Sequence, residues 1–300
     1  MINGIINVYK EKGFTSFDVV AKMRGMCHQK KIGHTGTLDP DAEGVLPVCL
    51  GKATKVCDLL TDKDKEYKAV LLLGIETDTQ DISGEVLNQS QVDVSEEMVR
   101  ETILSFIGEY EQVPPMYSAL KVNGQKLCDL ARKGITVERK SRKVTIHNIE
   151  ILSMNLPEVE ILVSCSKGTY IRTLCDDIGK RLGCFGCMKS LLRTKVDRFE
   201  LKDAYKLSEL EELLKQPNEQ WDFIASIDSV FQKYLSVTAV SEAQKLVDNG
   251  NRIPHAFILD FSEEMMQEKV RLYDANGRFI GIYSYLSESK EYKPVKLFME

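Results

Sequence analysis

The sequence predicts an α+β protein with a small β-rich module at its C-terminal end. Three observations carry that reading. Apolar residues recur with period two in some stretches and with helical spacing in others, and turn residues separate them. Of 300 residues, 43% are hydrophobic and 28% charged, which suits a packed globular core and excludes a disordered, collagen-like or disulfide-scaffold chain. From about Tyr234 the texture changes to short strand-like runs with one short helix, so the chain divides into residues 1–233 and 234–300.

Each element follows from its local pattern. Ile2 to Val8 reads as a strand. Phe14-Thr15-Ser16 offers an N-cap for a short helix carrying Phe17, Val20 and Met23. Glu66 to Ile75 is β-rich and nearly continuously apolar, which predicts a central place in a sheet. Ser95 caps a helix with Val99, Ile103 and Phe106 on one face, stopped by Gly108. Lys143 to Leu152 and Glu158 to Cys165 read as neighbouring strands joined by a loop with Asn155 and Pro157. A helix then runs from about Thr173 to Leu182, with Gly183 just past its end. Ser208-Glu209-Leu210-Glu211 reads as a capping box for a helix ending before Pro217. In the C-terminal module, Arg271 to Ile280 reads as a hairpin around an Asn276-Gly277 type I′ turn.

No apolar run is long enough to cross a bilayer; the longest is Ala69 to Leu73 with Gly74-Ile75 behind it. Met1-Ile2-Asn3-Gly4 has no basic or apolar leader pattern, and the eight scattered cysteines read as reduced thiols, so a cytoplasmic protein is expected. The net charge of −5 hides an asymmetry. Glu76 to Glu111 holds ten acidic residues and one basic. Lys121 to Lys143 holds eight basic and two acidic, and Lys167 to Arg198 eight basic and three acidic. Two basic segments in a mildly acidic chain form the pattern of local polyanion binding, with the acidic segment expected to face away. Charge alone favours the plainer reading of two solvated faces.

The densest chemical signal is Gly33-His34-Thr35-Gly36-Thr37-Leu38-Asp39-Pro40-Asp41-Ala42-Glu43-Gly44-Val45-Leu46-Pro47. Its glycines and prolines set an irregular loop able to present a side chain at an angle no helix or strand offers. Asp41 and Glu43 read as surface charge.

This loop resembles the G-H-T-G-[TA]-L-D-P motif of the TruB family of tRNA pseudouridine synthases, whose aspartate is the essential catalytic residue. Further resemblances follow in the family's order. They are Lys10-Glu11-Lys12-Gly13-Phe14-Thr15-Ser16, Lys65-Glu66-Tyr67-Lys68-Ala69 with the run Leu73 to Asp81, and Pro115-Met116-Tyr117-Ser118-Ala119-Leu120-Lys121. Ser166-Lys167-Gly168-Thr169-Tyr170-Ile171-Arg172 and Leu191-Leu192-Arg193-Thr194 complete the set. Glu11 stands where the first motif has proline, which loosens its backbone.

The resemblance implies a pseudouridine-synthase fold, a mixed and mainly antiparallel sheet with flanking helices and a central cleft. It implies an RNA-clasping insertion at about residues 112–143 and a PUA-like C-terminal module. The implied substrate is uridine 55 in the T loop of tRNA, flipped out at a cost of roughly a few kcal/mol. Breaking C1′–N1, turning the uracil and joining C5 to C1′ involves no redox change and no net hydrolysis, so no metal or other cofactor is expected. A carboxylate at Asp39 can attack C1′ or C6, or assist glycal formation, and must be ionised. Arg172 is the cation expected beside it. Tyr67 is expected to stack on the uracil and to offer its phenol for late proton removal. Tyr170 and Leu191 are expected to line the base pocket, His34 to fill the gap left by the flipped nucleotide, and Lys10 to contact substrate. The expected partner is the T arm of tRNA, with a monomeric enzyme, no guide RNA and no membrane.

Other classes are weaker. Cys184-Phe185-Gly186-Cys187 has no second pair at zinc-like spacing, and His28, His147 and His255 stand alone. A tRNA-binding folding factor with secondary catalysis, or a base-releasing glycosidase with a carboxylate at C1′, would share much of this sequence pattern.

Overall fold

The computed structural model describes residues 1–216 and 221–299. Over these residues the chain builds a ten-stranded sheet flanked by helices and a separate five-stranded sheet near the C-terminal end. The large sheet comprises β1 (Gly4–Lys10), β2 (Ile32–His34), β3 (Glu43–Leu50), β4 (Lys65–Leu73), β5 (Gly108–Gln112) and β6 (Arg142–Asn155). It continues with β7 (Glu158–Cys165), β8 (Gly186–Val196), β9 (Phe199–Glu200) and β10 (Ile224–Ala225). The order across it is β10-β1-β3-β8-β4-β7-β6-β5, with β2 added at β3 and β9 at β8. Only the β3–β8 pair runs parallel among the named strands of this sheet. The sheet is mixed and mainly antiparallel, as expected.

β4 takes the central place its apolar run predicts, between β8 and β7. Its burial nevertheless alternates, because Tyr67, Ala69, Leu71 and Leu73 face the main core while the residues between them are half-buried. Against that face pack helices α2 (Glu96–Leu104) and α3 (Ile171–Leu182), through Val99, Ile103, Leu174 and Ile178. α2 starts where Ser95 predicts, its hydroxyl accepting from the Met98 amide at 3.2 Å. It ends at Leu104, earlier than the apolar pattern suggests, and Gly108 opens β5 instead. α3 ends at Gly183, whose φ of 73° is the left-handed conformation that closes a helix.

Helix α1 (Ser16–Met26) has the Thr15 cap, with Asp18 completing a capping box. Its buried stripe is Val19, Val20 and Met23; Phe17 points away and is 63% exposed. Helix α4 (Leu207–Lys215) begins before Ser208, because Glu209 accepts from the Lys206 amide at 2.7 Å and so serves as its third residue. It ends before Pro217, which lies outside the described residues.

The second sheet holds β11 (Leu235–Thr238), β12 (Ile253–Pro254), β13 (Val270–Tyr273), β14 (Phe279–Leu286) and β15 (Glu291–Leu297) in the order β11-β13-β14-β15-β12. β13 and β14 form the expected hairpin, but its connection is no two-residue type I′ turn. The buried Asp274 carboxylate accepts from the Asn276 amide at 3.0 Å and the Arg278 amide at 2.9 Å, stabilising a longer loop. Only Gly277 of that loop has positive φ. The module is seated by a cluster of rings, Phe231, Phe279 and Phe298, that shares one core with Ile5, Val45, Val196 and Phe199 of the large domain. No helix among the described residues is long and apolar enough to cross a membrane.

Candidate active site

The connection from β2 to β3, residues 35–42, carries Asp39 and is held from below by buried groups. Lys10, fully buried, donates from Nζ to the carbonyls of Ala42 at 2.6 Å, Pro40 at 3.1 Å and Glu11 at 3.2 Å. Burial pushes its ammonium down to about 8, against the opposing pull of Glu43 and Asp39. The Gly13 amide also donates to Pro40, at 2.9 Å, and the Leu38 amide to Ser16 Oγ, at 2.9 Å. Arg193 donates from Nε to Val45 O at 2.7 Å and from Nη2 to Gly36 O at 3.2 Å. A loop with no regular structure is therefore fixed at four residues, 36, 38, 40 and 42, and Arg193 is anchored besides at Val45 of β3. Such fixation suits a reacting group, since little reorganisation remains to be done.

Asp39 projects from this loop with its side chain 41% exposed, against 7% for that of Arg172. Arg172 lies in the first turn of α3 and grips the carboxylate at two points, Nε to Oδ2 at 3.1 Å and Nη2 to Oδ1 at 3.4 Å. Its remaining donors reach Tyr117 O at 2.8 Å, Thr79 O at 3.1 Å and Asp81 Oδ2 at 3.5 Å. Loss of hydration raises the Asp39 pKa; Arg172 opposes that, Asp81 reinforces it, and the net direction is upward. A more basic carboxylate, held in place yet open on one side, suits nucleophilic or general-base work.

Tyr67 sits on β4 opposite Val163 on one side and Arg193 on the other, and is 9% exposed. Burial raises its phenol's pKa, and Arg193 opposes the shift. Tyr170 caps α3, its backbone fixed on both sides by the buried Gln112: the Tyr170 amide donates to Oε1 at 2.8 Å and Nε2 donates to its carbonyl at 3.0 Å. The Asp39 charge reaches both phenols. Leu191, opposite Ala69 on β8, packs against the main core. His34, at the end of β2, has a buried Nδ1 without a hydrogen-bond partner, and burial lowers its pKa toward the neutral ring.

Asp39, Arg172, Tyr67 and Tyr170 thus come together, while Lys10 lies beneath the loop with its ammonium turned to loop carbonyls. Sequence reasoning misses Asp81, Gln112 and the buried role of Arg193. Asp81, though part of the acidic segment expected to face away, itself lies at the site, where its carboxylate meets Arg172 Nη1 while Asp39 holds Nε and Nη2. Its carboxylate is ordered by Thr79 Oγ1 at 2.8 Å and the Ser83 amide at 3.1 Å. Among the described residues no group of three or more His, Cys, Asp or Glu side chains is placed to hold a metal ion. All eight cysteines are free, Cys184 and Cys187 included.

Residues 24–171 match the model of the TruB family pseudouridylate synthase N-terminal domain, and residues 172–232 that of the tRNA pseudouridylate synthase B C-terminal domain. A protein named tRNA pseudouridine synthase B from Lachnoclostridium phytofermentans is 54% identical, the match covering 99% of this chain and 100% of the relative. One of the same name from Alkaliphilus oremlandii is 46% identical, over 99% and 97%. The crystal structure of a Cbf5-Nop10-Gar1 complex contains a chain with a TM-score of 0.71 and 26% identity, covering 99% of this chain and 85% of that one. The fold is therefore that of a pseudouridine synthase, an isomerase that acts on RNA. This chain belongs to the TruB family, and its activity is the pseudouridylation of tRNA.

Proposed function

We propose that the chain converts uridine 55 in the T loop of tRNA to pseudouridine, with Asp39 as the group that engages the flipped nucleotide. The observation that carries this reading is the two-point contact between Asp39 and the buried Arg172, on a loop clamped by Lys10 and Arg193. Arg172 favours the charged carboxylate without covering its open face. Tyr67 supplies a ring against which uracil stacks and a phenol that handles the proton leaving C5 once C5 is joined to C1′. Tyr170 and Leu191 line the pocket for the base, and His34, neutral and with a free buried nitrogen, fills the space the nucleotide vacates. Lys10 acts by holding the loop and not by touching RNA. Residues 112–143 clasp the T arm, and the module at 234–300 contacts tRNA away from the reacting base. In this reading a monomer in the cytoplasm needs neither guide RNA nor cofactor.

Asp39→Asn tests the reading. It keeps the side chain's shape and removes its charge, so tRNA binding and the thermal unfolding midpoint should stay near wild type while pseudouridine formation stops. Turnover within about tenfold of wild type, 1.4 kcal/mol in barrier height, would sink the assignment of Asp39. Site mapping of pseudouridine on an unmodified tRNA transcript checks position 55. A folding factor would keep its refolding activity in this variant as its main effect, and free uracil in the wild-type reaction would point to a glycosidase.

A further inference from the structure

Arg193 is 1% exposed, among the largest fully buried side chains of the protein. A cation placed so deep normally sits against a carboxylate, because desolvating it alone is costly. Among the described residues no carboxylate is paired with it. Its hydrogen bonds go to two neutral carbonyls, Val45 O at 2.7 Å and Gly36 O at 3.2 Å. Two of its five N–H donors are used there. Tyr67 is its cross-strand neighbour on β4, and the phenol favours its charged form against burial. The backbone makes this placement specific. Arg193 pairs with Gly44 in the parallel β3–β8 contact and with Tyr67 across the antiparallel β8–β4 contact. A Cβ at residue 44 would lie 2.2 Å from the Arg193 carbonyl oxygen, so only glycine lets the two strands meet there. One residue therefore touches the loop that carries Asp39, the strand that follows it, and the strand that carries Tyr67.

We propose that Arg193 is a positioning residue for the isomerisation, one that locks the Tyr67 phenol in register with the Asp39 loop and supplies the positive charge its oxygen faces during proton removal. This rests on the reading that the Tyr67 phenol serves the reaction. The groups facing that phenol are Arg193 on β8, Cys165 on β7 and Asp39 on the loop, and Arg193 is the only cation of the three. Arg193 and Tyr67 are cross-strand neighbours in the β8–β4 pair, which sets the guanidinium's charge beside the phenol. To take the proton from C5 the phenol first gives its own proton to solvent; the phenolate then accepts the C5 proton and returns to phenol, and the Arg193 charge favours the phenolate against the effect of burial. Burial lowers the pKa of Lys10, Lys65 and His34, and the Arg193 charge adds to that lowering in each.

A double-mutant cycle tests this, read as the single-turnover rate at saturating tRNA. Arg193→Gln keeps N–H donors and removes the charge; it should slow wild type by about tenfold or more, with tRNA affinity changed less than about twofold. In a Tyr67→Phe background the same change should cost at least about threefold less than in wild type, because the phenol it acts through is gone and only its hold on Gly36 and Val45 remains to be lost. Arg193→Lys should restore part of the rate in the Tyr67 background and none in the Tyr67→Phe background. Equal losses in both backgrounds, with Tyr67→Phe itself slow, would overturn the proposal and leave the role of the phenol standing. Tyr67→Phe at the wild-type rate would overturn both. If the Arg193 variants do not fold, ¹⁵N spectra of the arginine side chains in wild type and Tyr67→Phe decide the matter. A buried, slowly exchanging guanidinium signal should shift on loss of the phenol, and an unchanged spectrum would refute the contact.

Discussion

Residues 121–143 and 167–198 carry nearly equal excesses of positive charge, and the fold uses them in opposite ways. In the second segment, Arg172 and Arg193 are buried. Lys180 is held by Asp176 at 2.8 Å and Glu76 at 3.0 Å, and Lys195 by Glu200 at 2.9 Å. Lys189 is paired with Glu158, and Arg181 stacks on Phe106 at 4.2 Å. In the first segment Lys121, Lys126, Arg132, Lys133, Lys140 and Arg142 are exposed. Its ion pairs, Arg132 with Asp129 at 3.6 Å and Lys143 with Glu109 at 3.5 Å, are both solvent-exposed and weak. The difference follows from element type. α3 and β8 are core elements whose charges must find partners, whereas residues 121–141 form a loop with two-residue strands and one five-residue helix, and Arg142 and Lys143 open β6 with exposed side chains. Window charge thus reports how many cations a segment has, and burial decides whether a polyanion can meet them.

The largest expected effect lies in the buried set. Arg172→Gln removes the cation that grips Asp39 and should lower the single-turnover rate by about a hundredfold, as losing one preorganised donor does elsewhere. Its tRNA affinity and salt dependence should stay near wild type. A change confined to affinity would place Arg172 with the phosphate-binding cations and erase the contrast.

The same variant has a pH signature. The Asp39 pKa is raised by burial and lowered by Arg172, with burial prevailing. The ionised carboxylate is the working form, so the rate should fall on the acid side at a higher pH than an ordinary carboxylate would give. Arg172→Gln removes the opposing charge and should move that limb higher still. The pH profile of the single-turnover rate is the measurement, and alanine substitutions in the exposed segment should leave the limb in place.

The exposed set should show the reverse behaviour. Lys126→Ala, Arg132→Ala and Lys133→Ala together should weaken tRNA binding and flatten its dependence on salt. For every phosphate that is no longer neutralised, the log–log slope should shrink by roughly 0.7 to 0.9. The rate at saturating tRNA should change by less than about twofold, since these side chains hold RNA and do not react with it. An unaltered slope would make residues 121–143 a solvated face.

Much of this arrangement is legible in the sequence where the determinant is local. The cap at Thr15, the end of α3 at Gly183 and the central place of β4 each depend on a few adjacent residues. Phe17 misleads because Val19, Val20 and Met23 define the inner stripe of α1 and leave the ring on the outer side. Lys10 misleads because lysine is ordinarily a surface residue, and its partners at residues 40 and 42 are brought to it only by the β1–β3 pairing. Asp81 reaches Arg172 across 91 residues of sequence, and nothing in its own neighbourhood signals the contact. Asn276-Gly277 carries a strong turn signal, yet Asp274 two residues earlier binds the loop amides and selects a longer connection.

The smallest expected effect is the sharpest check on the comparison. Lys189→Ala and Lys195→Ala remove two of the cations that give residues 167–198 their apparent excess. Both side chains are partly exposed, at 41% and 42%, so exposure alone would allow them to meet phosphate. Each is already paired with a glutamate, Glu158 or Glu200, and Glu200 is pulled down to about 2 by Lys195 and Lys202 together. RNA would have to displace a carboxylate to use either lysine, and the counterion release that drives phosphate binding would be correspondingly small. The double variant should therefore keep the wild-type salt slope and single-turnover rate. Its thermal unfolding midpoint should also stay near wild type, because ion pairs this open to water stabilise a fold very little. A slope reduced as far as in the Lys126, Arg132 and Lys133 triple variant would show that paired cations still bind tRNA. The contrast between the two segments would then be one of degree, set by distance from the cleft and not by partnership.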